Sequence, residues 1–148
     1  MGCKLLLGLM ALTLNAQDAA KIKSLLASLN DAYKKSDTQA FGALFALDGE
    51  LRHGGRVLGV GPQQVAKALT PAKPWSETTP PYIVNETVRI VSPGIVLVTG
   101  EQVQFGSLVP RRSTPVLIVA KWESDRWSLL LMHLAECWPA TSLVASPH

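Results

Sequence analysis

DTQAFGALFALDGELRHGGRVLGV, residues Asp37 to Val60, is the stretch whose reading decides the fold. It opens on Asp37, which, or Ser36 just before it, is suited to capping a helix, because a side-chain oxygen there accepts from N–H groups that the first turn leaves unpaired. Phe41, Leu44 and Phe45 then recur at helical spacing, and Asp48-Gly49 reads as the stop. Glu50 to His53 and Arg56 to Val60 flank Gly54-Gly55. Two glycines between extended runs signal a two-residue hairpin whose central positions both take positive φ. Alternation puts Leu51 and His53 on one face and Glu50 and Arg52 on the other. Leu51 belongs in a core, so His53 is expected to face inward with it.

Upstream, Ile22, Leu25, Leu26, Leu29 and Tyr33 mark an amphipathic helix over Ala19 to Lys35, with Lys21, Lys23, Asn30 and Lys34 on its other side. Downstream, Gly61-Pro62 opens a third helix, with proline where its missing N–H does no harm, and with Val65, Ala68 and Leu69 as its stripe. PAKPWSETTPP (71–81) breaks regular structure and carries Trp75, either a lid over a cavity or a plug in the core. From Tyr82 the period becomes that of strands: Ile83–Val91, Ile95–Phe105, Thr114–Trp122 and Trp127–Ala135. Ser92-Pro93-Gly94 and Ser124-Asp125 supply turns.

Several of these strands are apolar on both faces: Ile95, Leu97 and Val103 alternate with Val96 and Val98, and Val116 and Ile118 with Leu117 and Val119. Such a sheet needs cover on both sides. Three helices cover one, and no sequence remains for the other, so a second copy is expected there, giving a homodimer.

The chain of 148 residues is enough for one domain with a continuous core. A hydrophobic share of 47% against 17% charged excludes a disordered chain, and the scattered net charge of +3 leaves no nucleic-acid footprint. Lys4, the apolar run LLLGLMALTL (5–14) and the small-residue exit at Asn15-Ala16 have the order of a secretory signal peptide. The run is about half the ~20 residues that span a bilayer, so no membrane anchor is expected after cleavage. The expected organisation is therefore a signal over 1–17, a domain over 18–137 and a tail over 138–148, in a periplasmic or secreted bacterial protein. Cleavage would remove Cys3 and leave Cys137 without a disulfide partner.

Three helices, a short hairpin between the second and third, and a strongly bent antiparallel sheet together resemble the nuclear transport factor 2-like superfamily, in its SnoaL-like and ketosteroid-isomerase-like branch. The residues carrying this are Ser36-Asp37 with Phe41, LFALDG at Leu44 to Gly49, Gly59 to Gly61, and the closing pattern Trp127, Leu129, His133. The resemblance spans Ala19 to Glu136 and implies an α+β cone-shaped barrel with an apolar pocket. It also places His53 where the isomerases keep their catalytic aspartate. Their helix-one tyrosine falls at Leu29 and their oxyanion-hole acid near Ile118, so that mechanism lacks its donors here.

His53 is the candidate base, since imidazole titrates near neutral pH. His133 is either a second polar group in the pocket or a residue bonded to a backbone carbonyl. Glu101 is a partner for a histidine if its strand face lines the cavity, and an interfacial charge if that face meets a second copy. Tyr33, Phe41, Trp75 and Trp127 are candidate pocket walls. No close-spaced ligand pair points to a metal, and no phosphate loop or dinucleotide fingerprint points to a cofactor. Two readings stand: a proton-transfer enzyme of the isomerase or lyase kind acting on a small apolar or amphipathic molecule, and a non-catalytic domain using the same pocket for a ligand or protein partner.

Overall fold

A computed structural model describes residues 15–69, 81–104 and 112–135, and the account below concerns those residues. Helix α1 runs Ala16–Lys35, and Asn15 caps it by accepting from Asp18 N at 2.7 Å. It begins at Ala16 rather than at the expected Ala19, ahead of its apolar stripe, which starts only at Ile22. Ser36 ends it in the left-handed conformation (φ 53°), with its N–H and that of Asp37 returning to the carbonyls of Tyr33 and Ala32. Asp37 then caps α2 (Thr38–Ala43), its carboxylate accepting from Ala40 N at 3.0 Å.

Helix α2 is shorter than its sequence suggests. Phe45 to Gly49, expected to finish it, instead begins strand β1 (Phe45–His53). Phe45 pairs with Leu129, and both are fully buried, so long-range pairing overrides local helical spacing. Gly49 permits the approach: a Cβ there would collide with the Leu129 carbonyl. Strand β2 (Arg56–Val60) completes the hairpin, where Gly54 has positive φ (57°) and Gly55 does not. Helix α3 (Gly61–Leu69) follows, burying Val65 and Ala66 where Ala68 was expected.

Strands β3 (Tyr82–Ser92), β4 (Ile95–Gln104), β5 (Arg112–Glu123) and β6 (Arg126–Leu134) fill out one six-stranded sheet in the order β2-β1-β6-β5-β4-β3. All neighbours are antiparallel except β1 and β6, which run parallel, so the sheet is mixed rather than wholly antiparallel. One face packs against the helices: Val96, Val98, Val116, Ile118, Leu129 and Met132 meet Ile22, Leu26, Leu29 and Phe41 in a single core. The other, outer face carries half-buried Leu97, Leu117, Val119 and Leu131, aligned across β4, β5 and β6 by the register.

Ser36 is exposed, and its left-handed backbone disfavours any residue with a Cβ. Ser36→Gly should therefore raise the unfolding free energy by about 1 kcal/mol, measured by urea denaturation.

Candidate functional site

The polar groups on the helix side of the sheet gather where the last turns of α1 meet the ends of β3 and β4. Asn30 projects from α1 and makes two bonds to one residue of the edge strand: Ile83 N donates to its Oδ1 at 2.7 Å and its Nδ2 donates to the Ile83 carbonyl at 3.1 Å. One turn on, the hydroxyl of fully buried Tyr33 donates to Gln102 Oε1 of β4 at 2.7 Å. Burial raises the phenol's pKa well above its ordinary value, because the phenolate would have to lose its hydration. Tyr33 also lies 4.7 Å from Phe41, centroid to centroid, and Phe41 lies 5.7 Å from Phe45, so an aromatic stack backs this polar corner.

His53 stands at the last position of β1, paired with Leu134. The register keeps it on the helix side with Leu51 and Met132, but it is solvent-exposed rather than inward in the core. The reason is position: Leu51 lies under the helices, whereas His53 adjoins the hairpin turn at the rim. No described residue hydrogen-bonds to its imidazole.

His133 does not share a face with Trp127 and Leu129, as plain alternation suggests. The pairing of β5 with β6 shifts between Val119 and Ala120, leaving Leu130 as an extra residue that reverses the alternation. His133 therefore lies with Leu131 on the outer face, its Nε2 2.9 Å from the Gly54 carbonyl, where the Nε2-protonated ring donates. Glu101 is also on the outer face, since its neighbour Gln102 faces Tyr33, and it accepts from Asn85 Nδ2 at 3.1 Å. His53 and these two residues thus occupy opposite sides of the sheet. Among the described residues no three His, Cys, Asp or Glu side chains group as a metal site.

Of the candidate walls, Tyr33 and Phe41 come together, both buried in the core. Trp127 does not join them. It packs at the opposite end of α1, where it lines a groove of about 290 Å³ with Lys21, Leu25 and Trp122. Trp75 lies outside the described residues, as do the apolar run 5–14, Cys137 and the tail. A second groove, of about 480 Å³, adjoins Asp48, Lys121 and Arg126. There the Lys121 ammonium bridges Glu123 (2.8 Å) and Asp48 (3.0 Å), and its hydrogen bond holds the Asp48 carboxyl below the usual range.

Asn30 and Gln102 were not among the candidates. Gln102 was discoverable: on β4 it has the parity of Val96 and Val98, so alternation already assigns an amide to the helix side. Asn30 carries no such signal, because its partner is a backbone 53 residues away.

No protein-family model and no curated protein sequence matches the chain. Solved structures do. A protein of unknown function with a cystatin-like fold from Nostoc punctiforme is 19% identical over 82% of this chain and 92% of that one, with a TM-score of 0.67. An NTF-2-like protein of unknown function from Shewanella oneidensis is 16% identical, over 80% and 98%, with a TM-score of 0.68. An NTF2-like protein with a cystatin-like fold from Novosphingobium aromaticivorans is 16% identical, over 89% and 90%, with a TM-score of 0.70. The architecture is therefore the nuclear transport factor 2-like, cystatin-like α+β fold. At such identities the likeness defines the fold and leaves the activity to the residues.

Tyr33 offers a direct test of the polar corner. Its neutral form is favoured in the folded state, so its contribution is intact below about pH 10, the value of a free tyrosine, and is lost as pH rises further. Tyr33→Phe should lower stability at neutral pH by about 1 kcal/mol. It should also flatten the alkaline fall in stability above pH 10, measured as denaturation midpoints across pH 8 to 11.

Proposed function

We propose that the protein is an exported, homodimeric binding protein that takes a small apolar or amphipathic organic molecule at the His53 rim of the helix-side face. The observation that carries this reading is the imidazole itself: it sits on the helix side of the sheet, exposed and without a hydrogen-bond partner among the described residues. Such a group is available to a ligand in a way that His133, already bonded to Gly54, is not.

Binding is favoured over enolate chemistry because the stabilising donors are missing. Leu29 and Ile118 are apolar and 0% exposed, and the Tyr33 hydroxyl already donates to Gln102. A developing oxyanion beside His53 would meet no preorganised donor from these positions. Proton transfer with His53 as base is the second reading, favoured by the same free imidazole, for substrates whose product anion needs no such hole. Native mass spectrometry of the purified protein should reveal a bound small molecule, and His53→Ala should weaken its binding roughly three- to tenfold. Undiminished affinity in a folded His53→Ala variant removes the residue from the site, and unchanged turnover of any substrate found removes the base.

The homodimer proposal rests on the outer face, where half-buried Leu97, Val119 and Leu131 align and no described helix packs. A lasting interface needs roughly 1,200–2,000 Å² in total, and a sheet face of this width is the place to find it. Val119→Lys should convert the dimer to a folded monomer in sedimentation equilibrium; a wild-type monomer at micromolar concentration overturns the proposal. Export is supported by the order of Lys4, the apolar run and Asn15-Ala16. N-terminal sequencing of the protein from its native host should begin at Gln17 or Asp18, and a chain retaining Asn15 overturns it.

A further inference from the structure

The groove between α1 and the β5–β6 hairpin is a separate feature from the His53 rim. Lys21 and Tyr33 are 12 residues apart on one helix, about 18 Å at 1.5 Å per residue. Lys21, Ser24 and Ser28 fall at i, i+3 and i+7, so they form one stripe along α1. That stripe faces Trp122 and Trp127, which meet edge to face at 5.7 Å and 61°. The hairpin carrying them is tight, with Ser124 and Asp125 both at positive φ.

Two cations line this groove. Lys21 Nζ lies 4.5 Å from the centre of the Trp122 ring, held over an aromatic face instead of by a carboxylate. Arg126 is the other, and neither forms an ion pair among the described residues. Lys35, Arg52 and Lys121, by contrast, are all paired with acids. Asp125 is the one carboxylate in the lining, so the groove keeps an excess of positive charge. Its apolar surface comes from Leu25, Trp127 and Trp122, the last 38% exposed at the top of the hairpin.

We infer that this groove is a binding site for a small aromatic monocarboxylate, with the carboxylate on Lys21 and Arg126 and the ring against the tryptophan pair. The chemistry follows from the lining. An anion finds two cations whose charge is not spent on an ion pair with any described residue, and a flat ring finds two indoles at an angle that suits edge-to-face packing. The serine hydroxyls of α1 can donate to a carboxylate oxygen or to a ring substituent. The volume of about 290 Å³ is at the lower end of small-molecule pockets, roughly 300–1,000 Å³, which limits the ligand to one or two rings. An organic cation is excluded by Lys21 and Arg126.

The test is isothermal titration calorimetry of the full chain with 2-naphthoate, against 2-naphthamide as the neutral probe of the same shape. The acid should bind roughly tenfold or more tightly than the amide, and its affinity should fall as salt is raised. Lys21→Met and Arg126→Met should each weaken the acid by roughly tenfold while leaving the amide unchanged. Tyr33→Phe, at the other end of α1, should not alter either. Equal binding of acid and amide overturns the proposal without any variant being needed. So does an absence of binding at millimolar probe, or an affinity unchanged in the folded double variant, which would place the ligand elsewhere.

Discussion

The parallel pairing of β1 with β6 is the constraint on which the other features depend. It joins residues 45–53 to residues 129–134, and without it the β1–β2 hairpin would be an isolated two-stranded ribbon. Closing so long a loop costs entropy that grows only slowly with length, as about (3/2)RT ln n. Phe45, Leu51, Leu129 and Met132 oppose it, each fully buried and each contributing roughly 1.5–3 kcal/mol of transfer free energy. The same pairing requires a residue without a side chain at Gly49, where the backbone passes the Leu129 carbonyl. It also puts His53 beside Leu134, at the rim and on the helix side.

Much of this was legible from residues alone, where the deciding partner was near in sequence. The α1 stripe of Ile22, Leu25, Leu26, Leu29 and Tyr33 is buried throughout, Asp37 caps α2, and Gly94 takes the positive φ (76°) that its turn demands. Where the partner was distant, local pattern failed. Phe41, Leu44 and Phe45 have helical spacing, yet Phe45 is claimed by a strand about 85 residues away. One extra residue at Leu130 defeated the alternation that had put His133 with Leu129. Such a bulge leaves no composition signal, since Leu129, Leu130 and Leu131 are identical in sequence and differ only in what each pairs with.

The candidate site was legible in part. His53 follows from the strand parity of Leu51, but its exposure follows from where the helices stop, which no periodicity contains. Trp127 and Tyr33 both read as walls of one pocket, because both are aromatic residues on apolar faces. Their separation to opposite ends of α1 becomes evident only when the helix is laid across the sheet.

That geometry explains how one small domain can carry polar features at two places without weakening its core. The helix α1 buries a continuous apolar stripe between them, so Asn30 and Tyr33 at one end and Lys21 at the other are separated by packed Leu25, Leu26 and Leu29. At the first end both side-chain polar atoms of Asn30 bond to the Ile83 backbone and the Tyr33 hydroxyl to Gln102, an arrangement that fixes the helix to β3 and β4. At the second end, Lys21 lies over a ring face and forms no ion pair among the described residues. The difference in partners, more than the difference in residue type, separates a corner that holds the fold from a groove with charge to offer. A buried polar group left unpaired costs the fold stability, whereas an exposed one can wait for its partner to arrive from solution.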